Sequence, residues 1–317
     1  MLISYLYIWI NSALKFTSKR NYLLITSFTF ILFLIFYDST GTDWDTYNLY
    51  ITNKSLPLYF EPGFVLLLQL ARFLQSYIIV LLFILVVSLI SIESFSKNHK
   101  IFPKWIIILS IIPIFLPLFG GAIRQALALM IVLYGFNSKH FIYCILIAML
   151  FHYSAIVFLP IYLLTKISIT YKSSILFLFF GLIIAYYTII YTPFLFQIFK
   201  AGDYYIQSGT INPVKEIFIT IERITLILLS VITLRKIKIP ELRIIVYTTI
   251  LGCFIFLIFA SELRNFAGRS LAILRCFDLI TMYYGLQIVF HKTKNYDKLS
   301  LLLILIYSFL KFLITTI

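Results

Sequence analysis

Long apolar runs follow one another along the whole chain, separated by short basic or aromatic-polar stretches. A helix needs about 20 apolar residues to cross a bilayer, because it rises about 1.5 Å per residue. The runs match that length repeatedly. The pattern therefore predicts an all-α polytopic integral membrane protein with about 11–12 transmembrane helices. We expect a single transmembrane domain over residues 1–317, with short or re-entrant helices at its outer face.

Basic residues concentrate in the short connections between the apolar runs. The chain is 62% hydrophobic and 12% charged, and its formal net charge is +14. Lys and Arg cluster near residues 15–20, 97–104, 139, 166–172, 235–243 and 292–298. Cytoplasmic loops of membrane proteins carry such an excess, so the charge indicates topology and argues against nucleic-acid binding.

Placing every basic loop on the cytoplasmic side predicts the individual crossings. They fall at about 2–14, 22–37, 72–92, 103–119, 121–137, 141–151, 154–165, 174–192, 216–234, 244–260, 271–290 and 299–316. The larger external segments are then about 38–71, 193–215 and 261–270. Residues 141–165 form either one long span or two short ones that meet near His152 and Tyr153. The charge bias favours two.

Five charged residues fall inside apolar spans, near the ends predicted to be external: Arg124, Glu222, Arg223, Arg275 and Asp278. A charge at the bilayer centre costs about 2.5–3.5 kcal/mol, so such residues usually face the bundle interior or a water-filled cavity. Glu222 and Arg223 can neutralise each other or snorkel to the surface. Arg275 and Asp278, three residues apart on a helix, can also neutralise each other.

Arg124 is the charge for which a functional role is favoured. It follows two glycines at the tip of a predicted helical hairpin and precedes Gln125, while small residues, including Gly135, favour close helix packing on its face. A guanidinium near an outward cavity is suited to bind phosphate bidentately without a metal.

The first large external segment is rich in acidic and aromatic residues. Asp43 and Asp45 form an Asp-x-Asp pair, which either binds a divalent metal or binds sugar hydroxyls beside stacking surfaces on Trp44 and Tyr47. Glu61 precedes Pro62 and is either a carboxylate at a helix start or a site acid. His152, at the apex of the short hairpin, is either a structural hydrogen-bonding residue or a general base.

Three motifs in order resemble the EpsG-like proteins, which belong with the Wzy-type polysaccharide polymerases. The first is the run 41–47 (Gly-Thr-Asp-Trp-Asp-Thr-Tyr), followed by 61–64 (Glu-Pro-Gly-Phe). The second is 121–128, which contains Arg124, and the third is 151–155 (Phe-His-Tyr-Ser-Ala). The resemblance covers roughly residues 1–290.

The resemblance implies an enzyme of the bacterial cytoplasmic (inner) membrane with an active site facing the periplasm or exterior. Such an enzyme joins undecaprenyl-diphosphate-linked oligosaccharide repeat units into O-antigen, capsule or exopolysaccharide. The lipid-linked oligosaccharide is the expected partner, with a chain-length regulator and a flippase as further expected partners. We expect no cofactor and no metal.

Residue roles are expected from this reaction together with residue type and position. The diphosphate leaving group would be bound by arginines near outer span ends: Arg124, Arg275, Arg269 and Arg264. The accepting hydroxyl would lose its proton to a base: His152 first, then Asp43 or Glu61. The sugar would contact Asp45, Trp44, Tyr47 and Gln125.

Three other functions fit the residues less well. A glycosyltransferase that uses a lipid-phosphate sugar donor would need a metal on Asp43 and Asp45, and chelators would inhibit it. A flippase for lipid-linked oligosaccharide would need charges through the depth of a central cavity, whereas the sequence places them near one end. An acyltransferase would use His152 as base, in a site that opens inward.

Overall fold

The structure is a computed structural model, and it describes residues 44–53, 60–167, 170–191, 213–236, 239–260, 263–291, 293 and 295–316. Helices are the regular secondary structure throughout those residues. Two compact units form, one ending at Tyr162 and the other beginning at Leu163. The predicted spans at about 2–14 and 22–37, and the candidate residue Asp43, lie outside the described residues.

The described residues of the first unit form six α-helices and a 3₁₀ helix, and the short helix α7 that follows contains the boundary between the two units. They are α1 (Trp44–Thr52), α2 (Pro62–Phe73), α3 (Ile78–Asn98), α4 (Lys104–Gly121), α5 (Ile123–Gly135), α6 (Phe141–Met149), a 3₁₀ helix (Tyr153–Phe158) and α7 (Leu159–Lys166). Helix α5 is the centre of this unit, since it packs against α3, α4 and α6 and most of its side chains are buried.

Close packing of α5 on α6 depends on a glycine. A Cβ atom at Gly135 would overlap the Cys144 sulfur, so no larger residue fits without moving the helices apart. This agrees with the packing role that the small residues near Arg124 predict.

The ambiguous stretch 141–165 folds back on itself. Helix α6 ends at Met149, and the rings of Phe141 and Tyr162 lie 6.2 Å apart, centroid to centroid. One continuous helix would separate these residues by about 31 Å at 1.5 Å per residue. The interpretation as two short helices meeting near His152 is therefore confirmed. With nine residues, α6 rises only about 14 Å, so the predicted crossing at 141–151 is too short to span a bilayer by itself.

The second unit contains longer helices. They are α8 (Tyr171–Tyr191), α9 (Pro213–Lys236), α10 (Pro240–Phe259), α11 (Arg264–Leu274), a 3₁₀ turn (Arg275–Phe277), α12 (Asp278–Val289) and α13 (Tyr296–Thr316). Proline at the first position of α10 starts that helix without losing a hydrogen bond. Helix α10 is buried along most of its length and contacts α8, α9, α11 and α12.

Five of the described segments are long and apolar enough to cross a membrane. They are Ile78–Asn98, Tyr171–Thr188, Glu216–Lys236, Pro240–Phe259 and Ala267–Val289. With 21 residues, α3 rises about 31 Å, which matches the hydrocarbon thickness of a typical bilayer. The prediction of an all-α polytopic membrane protein is confirmed. The total number of crossings stays a prediction.

Candidate active site

Glu61 lies at the centre of a polar cluster in the first unit. It immediately precedes Pro62 at the start of α2 and has extended backbone angles. The side chain forms no capping bond and is only 5% exposed. Each of its two carboxylate oxygens instead has a partner from another part of the fold.

His152 provides the first partner. It sits in the break between α6 and the 3₁₀ helix, where its extended backbone directs the ring to Glu61. The ring atom Nδ1 is 2.9 Å from Glu61 Oε1, and both side chains are buried. The break itself is tied to α2, because the Gly63 N–H donates to the carbonyl oxygen of Leu150 at 2.8 Å.

Arg124 provides the second partner, from the first turn of α5. Its Nη1 donates to Glu61 Oε2 at 2.5 Å, and its Nε donates to the Tyr47 hydroxyl at 3.1 Å. The guanidinium carbon lies 5.0 Å from the centroid of the Phe60 ring, a cation–π distance. The side chain remains 25% exposed, so part of the guanidinium can still reach a ligand.

Tyr47 is part of the protein interior. It is 3% exposed, stacks on Tyr77 with ring centroids 6.2 Å apart, and contacts Phe60 and Phe64 edge-on. The sugar-stacking role predicted for Tyr47 does not fit this burial. Its hydroxyl accepts a hydrogen bond from Arg124, so its contribution in this structure is to hold the guanidinium.

Gln125 is also buried, and its Nε2 lies 3.5 Å from the Ser154 hydroxyl oxygen. This contact links the start of α5 to the 3₁₀ helix beside His152. Asp45 is exposed on α1, and the side chain of Trp44 lies outside the described residues. Their predicted contacts with sugar stay predictions.

The environment keeps Glu61 ionised. Burial by itself raises the pKa of this carboxyl group. The hydrogen bond from His152 and the charge of Arg124 outweigh that effect, and the pKa falls from 4.5 to about 2. A carboxylate with so low a pKa is a poor proton acceptor near neutral pH. This argues against Glu61 as the general base.

The pair of Glu61 and His152 can position a base. When Nδ1 of the imidazole donates to a carboxylate, the neutral ring carries its lone pair on Nε2. That nitrogen is then the one able to take a proton from a substrate hydroxyl. Arg124 places a positive charge on the opposite side of the same carboxylate, where it can face an anionic leaving group.

The other predicted diphosphate ligands lie in the second unit. Arg264 starts α11, although its side chain is outside the described residues, and Arg269 is half-buried on the same helix. Arg275 belongs to the 3₁₀ turn between α11 and α12. Arg124 belongs to the first unit and the other three arginines belong to the second, and their shared role in binding a diphosphate stays a prediction.

The charged residues of the second unit form a network instead of local pairs. Asp278 Oδ2 accepts from Arg223 Nη1 at 2.8 Å, although the two residues are 55 positions apart. Glu222 Oε2 accepts from Arg223 Nη2 at 2.6 Å and lies 3.8 Å from Arg275 Nη2. The expected local pair of Glu222 with Arg223 is confirmed. Asp278, however, bonds to Arg223 rather than to the expected Arg275.

These charges also lie deeper than the sequence predicts. Arg275 and Asp278 fall about 12 to 17 Å along the candidate span Ala267–Val289, close to its middle. Tyr307, in the middle of α13, donates its hydroxyl to Glu222 Oε1, and sequence reasoning missed this residue. A tyrosine in an apolar helix is common, so its sequence context carries no signal for the contact.

No group of three or more His, Cys, Asp or Glu side chains suitable for a metal occurs in the described part of the chain. Because Asp43 lies outside that part, the expectation of no metal at Asp43 and Asp45 stays a prediction.

Comparisons with known proteins identify a family but no individual relative. Neither the curated proteins nor the solved structures include a significant match to this chain. A sequence model of the EpsG family matches residues 5–317, and the chain therefore belongs to the EpsG family.

Proposed function

We propose that the protein joins undecaprenyl-diphosphate-linked oligosaccharide repeat units into a surface polysaccharide. Membership of the EpsG family supports a polysaccharide-polymerase-like role. The observation that carries the finer proposal is the cluster in which one buried carboxylate, Glu61, receives both a histidine and an arginine. Such a cluster supplies a positioned base beside a positive charge, which are the two groups that glycosyl transfer needs.

The reaction transfers the growing glycan to a hydroxyl of a new lipid-linked repeat unit. The hydroxyl oxygen forms a bond to the anomeric carbon, and the bond from that carbon to the diphosphate oxygen breaks. His152 Nε2 takes the hydroxyl proton, while Glu61 stabilises the resulting imidazolium through Nδ1. The electron pair of the broken bond leaves with the lipid diphosphate.

Arg124 stabilises the departing diphosphate in this proposal. Its partly exposed guanidinium is held by Tyr47 and Glu61, so it needs little reorganisation when charge develops. Arginine can bind two phosphate oxygens at once, which a lysine ammonium cannot do with the same geometry.

The proposed location is the bacterial cytoplasmic membrane, with this cluster near its outer face. The basic connecting loops support that orientation through the positive-inside rule. Single cysteines introduced at Gly120 and at Ser138 test it. A membrane-impermeant thiol reagent added to intact cells should label the first position and not the second. The reverse labelling would refute the orientation.

Gene deletion with complementation tests the function itself. Cells lacking the protein should display single repeat units but no long glycan, and the wild-type gene should restore the chain-length ladder. Arg124→Ala should insert normally and fail to restore long chains. A normal ladder with Arg124→Ala would refute the role of that residue.

A flippase for lipid-linked oligosaccharide is the second candidate. The observation that favours it is the position of Arg223, Arg275 and Asp278 near the middle of candidate spans, where transporters often place charges. Deletion separates the two functions. Repeat units left on the cytoplasmic side would identify a flippase, whereas single units on the surface would identify a polymerase.

A metal-dependent glycosyltransferase with a lipid-phosphate sugar donor predicts a different result. Its product in a purified system would grow by one sugar at a time and would be lost with a chelator. The polymerase should add whole repeat units in the presence of the same chelator. The surface polymer that disappears on deletion shows whether the glycan is O-antigen, capsule or exopolysaccharide.

A further inference from the structure

Tyr50 places an aromatic side chain at the edge of the candidate active site. It lies on α1 three residues after Tyr47, so the two side chains are neighbours on the helix surface. They differ in burial, because Tyr47 is 3% exposed and packs among other rings, whereas Tyr50 is half-buried. Tyr50 therefore has side-chain surface that a ligand can contact, and Tyr47 does not.

Phe60 fixes the Tyr50 ring relative to Arg124. The rings of Tyr50 and Phe60 lie 5.0 Å apart, centroid to centroid, and are inclined at 79°. The Arg124 guanidinium carbon lies 5.0 Å from the same Phe60 centroid. Phe60 itself packs edge-on against Tyr47 and Phe64, so it is held by the core of the cluster. One ring thus supports both an aromatic side chain and a cationic one.

The backbone that carries Tyr50 is also held in place. Arg72, in the last turn of α2, donates from Nε to the Tyr50 carbonyl oxygen at 2.5 Å. That carbonyl belongs to the last turn of α1, where helix carbonyls lack partners within the helix. The positive charge of Arg72 also suits the negative end of the α1 dipole. A ring positioned in this way loses little conformational freedom when a ligand binds.

A sugar ring is the ligand that suits these surroundings. The face of an aromatic ring carries partial negative charge, which attracts the polarised C–H groups on the face of a pyranose. Thr46 is exposed one turn before Tyr50 on the same side of α1, and Asp45 is exposed beside it. Their oxygens can bond to sugar hydroxyls. Because Arg124 and Tyr50 share Phe60 as a neighbour, a ligand with an anionic group and an attached sugar can contact both.

We propose that Tyr50 is the residue on which a sugar ring of the lipid-linked substrate stacks, and that Phe60 holds the Tyr50 ring beside Arg124. The ligand class is a pyranose carried on a polyprenyl diphosphate. The nature of this carrier rests on the proposed function, whereas sugar binding at Tyr50 is measurable without turnover. Tyr50 thus takes the stacking role that burial argues against for Tyr47.

Two lipids that differ in their sugars test the proposal. One is the lipid-linked oligosaccharide extracted from cells that lack the protein, and the other is undecaprenyl diphosphate. Each is titrated into the purified full-length protein in nanodiscs. The preference for the sugar-bearing lipid is the ratio of the two affinities. Tyr50→Ala should reduce this preference about threefold to tenfold, because the stacked ring is lost. Its affinity for undecaprenyl diphosphate should not change, since Arg124 is intact.

Two further substitutions separate stacking from simple apolar contact. Leucine keeps apolar surface but has no π face, so Tyr50→Leu should reduce the preference nearly as much as alanine does. Tyr50→Phe retains the ring and should restore the preference of the parent protein. If Tyr50 only anchors α1 at the bilayer interface, Tyr50→Leu would keep the full preference, and that result would overturn the proposal. Tyr50→Leu also serves as the test if Tyr50→Ala fails to fold.

Tyr143 provides a matched control in the same unit. Its side chain is 61% exposed on α6. The next residue, Cys144, packs at Gly135, which lies about 16 Å along α5 from Arg124. Tyr143→Ala should therefore leave the preference unchanged. Equal reductions in Tyr50→Ala and Tyr143→Ala would show a general effect of lost aromatic surface and would contradict a specific site.

Binding and polymer synthesis give separate answers. An unchanged preference in Tyr50→Ala refutes the stacking role even where long glycan still forms, as does a parent protein that binds both lipids equally. A reduced preference in Tyr50→Ala supports the stacking role. If deletion of the gene then leaves long surface glycan intact, the proposed function alone is refuted.

Discussion

Replacing Gly63 with alanine tests whether the contact between α2 and the hairpin sets the separation of Glu61 and His152. Gly63 does not have a positive φ, so alanine is compatible with its backbone conformation. The obstacle is steric. A Cβ atom there would lie 2.9 Å from the Leu150 carbonyl oxygen and 3.1 Å from the Leu150 Cβ. The first of these neighbours is backbone, which cannot rotate away.

The size of the effect follows from these distances. Ordinary contact begins near 3.4 Å, so α2 and the hairpin tip must separate by about 0.5 Å. Glu61 Oε1 and His152 Nδ1 lie 2.9 Å apart. If the shift lengthens this distance by the same amount, the contact reaches the upper limit for a hydrogen bond. Displacements of this order around a catalytic group cost roughly tenfold to a hundredfold in rate. Overpacking also destabilises by about 1–3 kcal/mol.

The assay is the initial rate of polymer formation by purified protein, beside the chain-length ladder in complemented cells. Gly181→Ala is the matched control, since a Cβ atom at Gly181 in α8 meets nothing within 4 Å. It should keep full activity and gain about 0.5–1 kcal/mol in stability from better helix propensity. Melting curves of both variants show whether lost activity reflects unfolding. Equal activity in Gly63→Ala and Gly181→Ala would refute the geometric argument.

Four further predictions concern the same cluster. Arg124→Lys should insert normally and lose about a hundredfold in polymerisation rate, because it keeps the charge without the bidentate donors; a loss below threefold would contradict this. His152→Gln should lower the turnover number by about 10²–10⁴ with little change in KM, measured with purified lipid-linked repeats. Tyr47→Phe removes the hydroxyl that holds Arg124, so KM should rise up to about tenfold, whereas Tyr50→Phe should have no effect. Glu61 has a pKa lowered from 4.5 to about 2. Its carboxylate therefore contributes stability, about 3 kcal/mol, that is complete above pH 4.5 and lost as the pH falls through 2, and melting of Glu61→Gln should depend less on pH over that window than melting of the wild type.

Apolar run length was sufficient to predict the fold class and several element positions. A segment such as Ile78–Asn98 contains neither proline nor glycine and has the length of a bilayer crossing, so its structure follows from local sequence. The hairpin around His152 could also be predicted from the sequence, because a single span would have placed the basic loop at 235–243 outside the cytoplasm. Residue type and position likewise singled out Glu61, Arg124 and His152 one at a time.

The contacts among those three residues could not be predicted from the sequence. Glu61 is 63 positions from Arg124 and 91 from His152, and no local pattern records that both bond to one carboxylate. For the same reason the sequence left Glu61 as a candidate general base ranked behind His152, whereas its environment in the structure makes it a positioning group. The role of Tyr47 also depended on burial. The sequence of a polar segment does not show whether an aromatic residue in it contacts sugar or packs in the core.

Local sequence determined where this chain forms helices and which of them are long enough to cross a membrane, because helix length and hydrophobicity depend on neighbouring residues. Tertiary structure decided which charges meet. Arg223 bonds to Asp278 through packing of α9 against α12, and within the described part of the chain the buried Nε of Arg275 has no hydrogen-bond partner. Charge compensation inside an apolar bundle depends on distances between helices, and those distances are set only when the helices pack.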